Sequence, residues 1–439
     1  MPSQFDPPSG TRDFLAADME RREHAFAAIR SVFARYGFEP LQTPAFERLD
    51  ILTGKYGDEG EKLIFKILRR GEHEASGEAD LALRYDMTVP LARVAAAYGS
   101  QLPTPYKRYA MGPVWRADRP GRDRYREFVQ CDLDTLGSSS LLADAEVLAA
   151  HHDALAAVGL TEFTVQLNSR RVLVGLLAAF SVPPELGPGV LISLDKLDKQ
   201  PPGAVVDELM ERGLAAEQAD ELVGTLTQRD AVDQVRVALT KTDDGIAGLE
   251  EVETLLSLLA GQFPAGRIAF TPRMVRGLSY YTGPIWEFVA PGVAGSLGAG
   301  GRYDHLIAQL GGPDLPGTGS SIGVERMLSL LSGPEDGSPA RLDVAVTVLR
   351  GDLAEQSFAF AAAGRSAGLR ASVYLGSSGK LRTQLKWAND TGARWCVIYG
   401  EREQQAGFAT VRDMRTGEQT EVPAGELAGY LAAAARADG

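Results

Sequence analysis

Residues 106–134 read YKRYAMGPVWRADRPGRDRYREFVQCDLD. An aromatic and apolar run, Tyr106 to Trp115, leads into a charged loop holding proline and glycine, and a second run, Phe128 to Leu133, leads out. The pattern predicts two strands joined by a long hairpin loop. Five arginines, Arg116, Arg119, Arg122, Arg124 and Arg126, fall within eleven residues of that loop. Guanidinium groups at the mouth of a hairpin suit bidentate capture of phosphate and can stack on a base. A solvated charged loop on a long ribbon is the plainer alternative.

The 439 residues are enough for two or three domains, and a hydrophobic fraction of 44% is that of an ordinary globular protein. No apolar run approaches the roughly 20 residues of a membrane span. The start, MPSQFDPPSGTRDF, carries neither the basic segment nor the apolar core of a signal peptide, so a cytoplasmic protein with no membrane partner is expected. Cys131 and Cys396 stand far apart with no CxxC pair, which supports neither a disulfide framework nor a zinc site. The histidines show no HExxH spacing, and adjacent His151 and His152 read as a helix-surface pair. A net charge of −13 argues against non-specific coating of nucleic acid but leaves room for a local basic surface that binds one RNA.

Outward from the hairpin, residues 15–36 carry Phe26, Ile29 and Phe33, with Ala25 and Val32 beside them, at the spacing of an amphipathic helix. Pro40 to Phe46 reads as a strand broken by Pro44, placing it at an edge or a bend. That helix and strand fit a subunit interface or one side of the core. Leu63–Arg70 and Leu81–Arg84 predict a hairpin running into Arg84-Tyr85-Asp86-Met87-Thr88, with a helix over Leu91–Tyr98. Asp86 and Thr88 can face one pocket as acceptors for an ammonium group, or cap the helix; both remain open. Leu141–Val158 is helical and Glu162–Leu167 a strand. Residues 171 to about 262 then read as an inserted helical subdomain with breaks at Pro183-Pro184 and Pro201-Pro202. Strands resume at Ile268. MVRGLSYYTG places Arg276, Tyr280 and Tyr281 on a turn before a strand over Ile285–Phe288, and LGAGGRYDHL surrounds Arg302, Tyr303 and Asp304 with glycines that allow close approach to a ligand. The GAGG run lacks a P-loop lysine and opens no Rossmann unit. Arg326 lies in the first turns of a helix after a glycine-rich strand, well placed for an anion. Residues 332–341 read as a linker, and 342–439 as a small α/β domain with a parallel sheet.

Several of these stretches together resemble the class II aminoacyl-tRNA synthetases, and within them the histidyl-tRNA synthetase family. Generic marks are GFEPLQTPAFE (Gly37 to Glu47), RYREFVQ (Arg124 to Gln130) and GVER (Gly323 to Arg326). More specific are LRYDMTVP (Leu83 to Pro90), SLDKLDK (Ser193 to Lys199), RGLSYYTG (Arg276 to Gly283) and AGGRYDHL (Ala299 to Leu306), in a match running from PPSGTRDF (Pro7 to Phe14) into the C-terminal region. The resemblance implies an α+β catalytic domain over 1–331 with an antiparallel six-stranded sheet and the helical insertion at 171–262. A C-terminal α/β anticodon-binding domain and a homodimer are also implied.

On this resemblance the substrates are ATP, L-histidine and tRNA(His), with Mg²⁺ arriving on ATP and no zinc. Arg116 would grip the α-phosphate, Phe128 stack on adenine with Arg124 nearby, and Arg326 hold the γ-phosphate side. Asp86, Met87, Thr88 and Gln130 would hold the amino acid's ammonium and backbone end. Asp134, Tyr280 and Tyr281 would line the imidazole pocket with Tyr303 nearby, and Arg276 would face Arg116 across the carboxylate and phosphate. Arg119 to Arg124 would meet the tRNA acceptor end. The chemistry agrees, because joining a carboxylate to a phosphate requires positive charge, and a polar pocket rejects apolar side chains without an editing domain. Three positions depart from the family's pattern: Ser279, Asp123 and His305. They leave a paralogue passing histidine or an analogue to a non-tRNA acceptor as the main alternative, and a regulatory subunit of ATP phosphoribosyltransferase as a lesser one.

Overall fold

The structure, a computed structural model, describes residues 5–71, 76–198, 200–275, 280–293, 295–331 and 342–437. It divides into a unit over Met1–Ser332 and a unit over Gly333–Gly439. The segment read as a linker, 332–341, lies outside the described residues.

The first unit holds strands β1 (Glu39–Pro40), β2 (Phe46–Arg48), β3 (Lys66–Leu68), β4 (Ala79–Leu83), β5 (Tyr106–Trp115), β6 (Glu127–Leu136), β7 (Thr164–Ser169), β8 (Ile268–Phe270), β9 (Pro284–Val289), β10 (Ser296–Arg302) and β11 (Gly317–Gly323). One sheet runs β1-β5-β6-β11-β10-β9-β7-β8, and β2, β4 and β3 form a second, three-stranded sheet. The six strands from β5 to β7 pair antiparallel throughout. The sheet is therefore larger than the six strands expected, because β1 and β8 add to its edges in parallel pairing. Both are three residues or fewer, too short to show an alternation in sequence. The strand expected over Pro40–Phe46 is likewise divided between the two sheets. Pro40 and Pro44 bring no N–H, so a continuous ladder cannot cross them.

Period-two alternation on β6 decides which face carries chemistry. Cys131 and Leu133 point into the main core with Ile29, Phe33, Leu148 and Leu155, while Gln130, Asp132 and Asp134 share the opposite face. The helix Ala16–Arg35 buries Ala25, Ile29, Val32 and Phe33, so its apolar stripe is spent on the core. The helix Leu141–Ala157 starts at Ser140, whose hydroxyl accepts from the Leu142 N–H at 3.2 Å. Arg302 pins that helix start to the sheet. Its guanidinium donates to the Ser138 and Ser140 carbonyls at 3.0 and 3.1 Å and pairs with Asp144, which also accepts from Thr318 at 2.7 Å.

Helices from Arg170–Ala179 to Asp243–Leu259 form the insertion. Within it Ser193 and Lys196, from the SLDKLDK stretch, both donate to Glu208, at 2.9 and 2.7 Å, tying neighbouring insertion helices together.

The second unit contains β12 (Val344–Val346), β13 (Ala371–Val373), β14 (Trp395–Ile398), β15 (Phe408–Asp413) and β16 (Gln419–Pro423), in the order β13-β12-β14-β15-β16. Only β13, β12 and β14 are parallel; β15 and β16 return antiparallel. The expected parallel sheet holds for the three strands that alternate with helices, and the last two return antiparallel because their connections are shorter than the dozen or more residues a parallel crossover needs. Gln384 is fully buried here, accepting from the Val348 N–H at 2.7 Å and donating to the Val348 and Ser378 carbonyls at 2.7 and 2.8 Å. Gln384→Ala strands three backbone groups and should destabilise this unit by about 1–3 kcal/mol, read as a lowered unfolding midpoint.

Candidate active site

The polar face of β6 floors a cleft lined by Asp86, Thr88, Arg116, Phe128, Gln130, Asp132, Asp134, Tyr280, Tyr281, Tyr303, Ser321 and Arg326, with neighbouring residues of β10 and β11. Register explains why this floor is open. Opposite Gln130, Asp132 and Asp134 stand Gly323, Ser321 and Gly319 on β11, and Gly112, Ala110 and Arg108 on β5. Small residues flank Gln130 and Asp132 on both sides, and Asp134 on the β11 side. At Gly319 a Cβ would strike the Asp134 carboxylate. The glycines of β10 behave in the same way: a Cβ on Gly298 would meet His151, and one on Gly301 the Pro284 carbonyl at 2.7 Å. These glycines admit the protein's own groups, and Gly298 also lines the cleft.

At the deep end, Asp134 is buried and faces Arg108, which has no exposure at all. Their closest atoms lie 2.8 Å apart, an ion pair outside hydrogen-bond alignment, and Tyr303 Oη donates to the other Asp134 oxygen. Arg108 also donates to the Met87 carbonyl at 3.1 Å. Burial raises the Asp134 pKa and Arg108 opposes it. Tyr280 packs edge-on against Tyr281 and Tyr303, at 5.0 and 6.1 Å between ring centres.

Of the two roles left open for Asp86, the structure shows the cap, and the residue also lines the cleft. Its Oδ1 accepts from the Val89 N–H at 3.0 Å, capping the helix Thr88–Tyr98, and from Tyr56 Oη at 3.1 Å. Burial raises its pKa. Met87 does not line the cleft; its side chain packs with Ala110 and Val114.

Arginines gather at the other end. Arg116 Nε donates to the Tyr85 carbonyl at 3.1 Å, and its guanidinium lies 4.3 Å from the Tyr85 ring centre and 5.2 Å from that of Phe128. Arg326 donates to the Ser296 carbonyl at 3.0 Å. Burial lowers its pKa, and the like charges of Arg124 and Arg116 add to that. Three cations drawn together in a half-buried place invite a polyanion. Arg124 itself stands outside the cleft lining, pairing with Asp118 at 2.6 Å. Behind this end, Glu325 joins Arg22 at 3.0 Å and accepts from the Val129 N–H at 2.9 Å, locking the GVER turn to β6.

Of the positions that depart from the family's pattern, Asp123 has a φ of 58°, a left-handed backbone that Asp tolerates. Its side chain lines a crevice with Arg12, Arg21 and Arg22 rather than projecting into solvent. His305 is exposed and stands away from the cleft. Arg276 and Ser279 lie outside the described residues.

Three residues of this region escaped the sequence reading. Asp132 shares a face with Gln130 and Asp134, a signal that was present at i, i+2 and i+4. Arg108 carried no such signal, since only strand register sets it opposite Asp134. His151, expected at a helix surface, is fully buried beneath the sheet. It stacks 3.7 Å from Phe288 and shares a 2.6 Å hydrogen bond with Ser320, which also accepts from the Trp286 indole at 2.9 Å. The helix that carries it is apolar nearly all round, so almost every side is covered.

Burial lowers the His151 pKa to about 3. With an unfolded value near 6.5, the unfolded chain takes up the proton first. Stability from this group is complete above roughly pH 6.5 and lost as pH falls toward 3, at about 1.4 kcal/mol per unit. His151→Asn should therefore show a flatter fall in melting temperature than the parent between about pH 6 and 4.

A family model described as histidyl-tRNA synthetase matches residues 10–327, and one described as an anticodon binding domain matches residues 343–434. The histidine–tRNA ligase of Gloeobacter violaceus is 40% identical, over 95% of this chain and 97% of its own length. That of Ruegeria pomeroyi is 38% identical, over 94% and 90%. Among solved structures, a histidyl-tRNA synthetase from Nostoc superposes with a TM-score of 0.77 at 30% identity, covering 98% of this chain and 99% of that one.

Proposed function

This chain belongs to the histidyl-tRNA synthetase family, and from that premise we propose how its cleft works. As a histidine–tRNA ligase it activates L-histidine with ATP to histidyl-adenylate, releasing diphosphate, and transfers the histidyl group to tRNA(His), releasing AMP. The observation that carries the proposal is one cleft with buried carboxylates at one end and gathered arginines at the other.

Histidine enters with its imidazole toward Asp134. That carboxylate, held by Arg108 and Tyr303, accepts a ring N–H while Tyr280 and Tyr281 pack on the ring. Asp86, Thr88 and Gln130 take the ammonium end, with Met87 serving through its backbone. This leaves the histidine carboxylate facing Arg116. One of its oxygens attacks the α-phosphorus of ATP, the bond to the bridging oxygen breaks, and diphosphate departs. Arg116 neutralises charge gathering on the α-phosphate as the bond forms. Phe128 stacks on adenine, Arg326 meets the γ-phosphate side, and Arg124 stands beside the nucleotide. Arg276 is assigned opposite Arg116 on family resemblance. Mg²⁺ would be held chiefly by ATP's own phosphates, since among the described residues no three acidic, histidine or cysteine side chains are placed to hold a metal ion, and would supply charge neutralisation there. Tyrosine and carboxylate partners left unpaired reject apolar amino acids.

Arg119 to Arg124 at the hairpin tip meet the tRNA acceptor end, and the unit matched by the anticodon-binding model reads the far end of the tRNA. The chain works as a homodimer in the cytoplasm; half-exposed Phe46 and Leu68 on the three-stranded sheet support a partner there. Among the described residues no helix is long and apolar enough to cross a membrane. Histidine-dependent exchange of labelled diphosphate into ATP, followed by charging of tRNA(His), tests the whole sequence. No exchange with histidine would sink the activation step, and exchange without charging would redirect the product to another acceptor.

A further inference from the structure

Three buried acceptor oxygens of cleft residues have no hydrogen-bond partner among the described residues: Asp86 Oδ2, Gln130 Oε1 and Asp132 Oδ1. Each is what remains after its neighbour is committed. Asp86 Oδ1 is taken by Val89 and Tyr56. Gln130 Nε2 donates to Ser321 Oγ at 2.5 Å, which turns the amide so that its oxygen is left over. The Ser321 hydroxyl in turn hydrogen-bonds the Asp132 carboxylate, so one serine sets both side chains. A fourth such oxygen, Asp134 Oδ2, already faces a cation in Arg108. Subtracting that pair leaves Asp86 and Asp132 as carboxylates with no ion-pair contact among the described residues, although Arg116 and Arg108 act on Asp86 and Arg108 on Asp132 from further off.

An ammonium group brings three N–H donors and one positive charge. Three leftover acceptors, two of them carboxylates, are its complement. We propose that Asp132 is a further acceptor for the substrate's α-ammonium beside Asp86, Thr88 and Gln130, and that it sets the enzyme's demand for a free amino group. The assignment rests on the reading that the cleft binds histidine. Strand geometry favours it, since Asp132 lies between Gln130 and Asp134 on one face of β6, flanked across the sheet only by Ala110 and Ser321. Burial, together with the negative charge of Asp134 and against the pull of Arg108, raises the Asp132 pKa to about 7. A carboxylate so poised gains from an arriving cation.

The test compares three ligands by calorimetric titration of the full-length protein: histidine, histidinol, which keeps the ammonium but lacks the carboxylate, and 3-(imidazol-4-yl)propanoate, which lacks the ammonium. In Asp132→Asn, affinity for histidine and histidinol should fall about 10- to 100-fold, the scale for losing a charged acceptor, with propanoate affinity unchanged or improved. An equal loss for all three ligands makes Asp132 a merely structural residue and overturns the assignment, as does unchanged binding of histidinol. Should Asp132→Asn not fold, Asp132→Ser gives the same comparison within one protein. A parent protein that binds no histidine fails in a different place, at the reading of the cleft itself.

Discussion

Replacing Arg116 with alanine should lower the maximal rate of histidine-dependent ATP–diphosphate exchange by about 10²–10³, the scale for removing one preorganised donor to developing charge. The expectation follows from how the side chain is held. Its Nε is committed to the Tyr85 carbonyl and its plane lies over the Tyr85 and Phe128 rings. Aim is therefore fixed before ATP arrives, and the two terminal nitrogens remain for the phosphate. Arg326 supplies further positive charge at the same end, so the KM for ATP should rise by a smaller factor than the rate falls. Arg116→Lys keeps the charge but loses the planar fork, and should recover only part of the rate. A variant with unchanged rate and a raised KM would make Arg116 a ground-state contact and remove it from the chemical step.

How much of this was legible in sequence depends on whether the signal was local. The β5–β6 hairpin and its inward and outward faces follow from alternation along one strand, which is why the acids of FVQCDLD can be sided without a fold. Asp132 belonged to that same pattern and needed only that alternation be followed through. Arg108 is different in kind: in YKRYAMG it reads as one more basic residue of a ribbon, and its role exists only because register sets it across from Asp134. His151 was misplaced because adjacent histidines look polar, whereas the Ala- and Leu-rich helix around them has almost no solvent face. The glycines of LGAGG read in sequence as room for a ligand, and the structure shows them giving room to the protein's own groups. What approaches is His151, Trp286 and the neighbouring backbone, which no local reading supplies. The edge strands β1 and β8 lie at the same limit, since two or three residues hold no period.

The hidden cation also yields the largest expected effect on stability. Arg108 is wholly buried, and removing it as Arg108→Met leaves Asp134, with Asp132 and Asp86 near it, uncompensated where almost none of its surface is exposed. Breaking one side of a buried pair costs about 3–5 kcal/mol, far more than the pair's net contribution, because the stranded charge must be desolvated alone. Urea unfolding should show that loss. The double variant Arg108→Met, Asp134→Asn should regain much of it, since the amide carries no charge to strand. Recovery of stability must not bring recovery of function: with Asp134 neutral, the imidazole N–H meets an uncharged acceptor, and histidine affinity should stay low in the double variant. If the double variant were no more stable than Arg108→Met, the cost would lie in lost packing and in the bond to the Met87 carbonyl, not in charge. If it bound histidine as the parent does, Asp134 would be structural, and Tyr280, Tyr281 and Tyr303 would carry imidazole recognition without it.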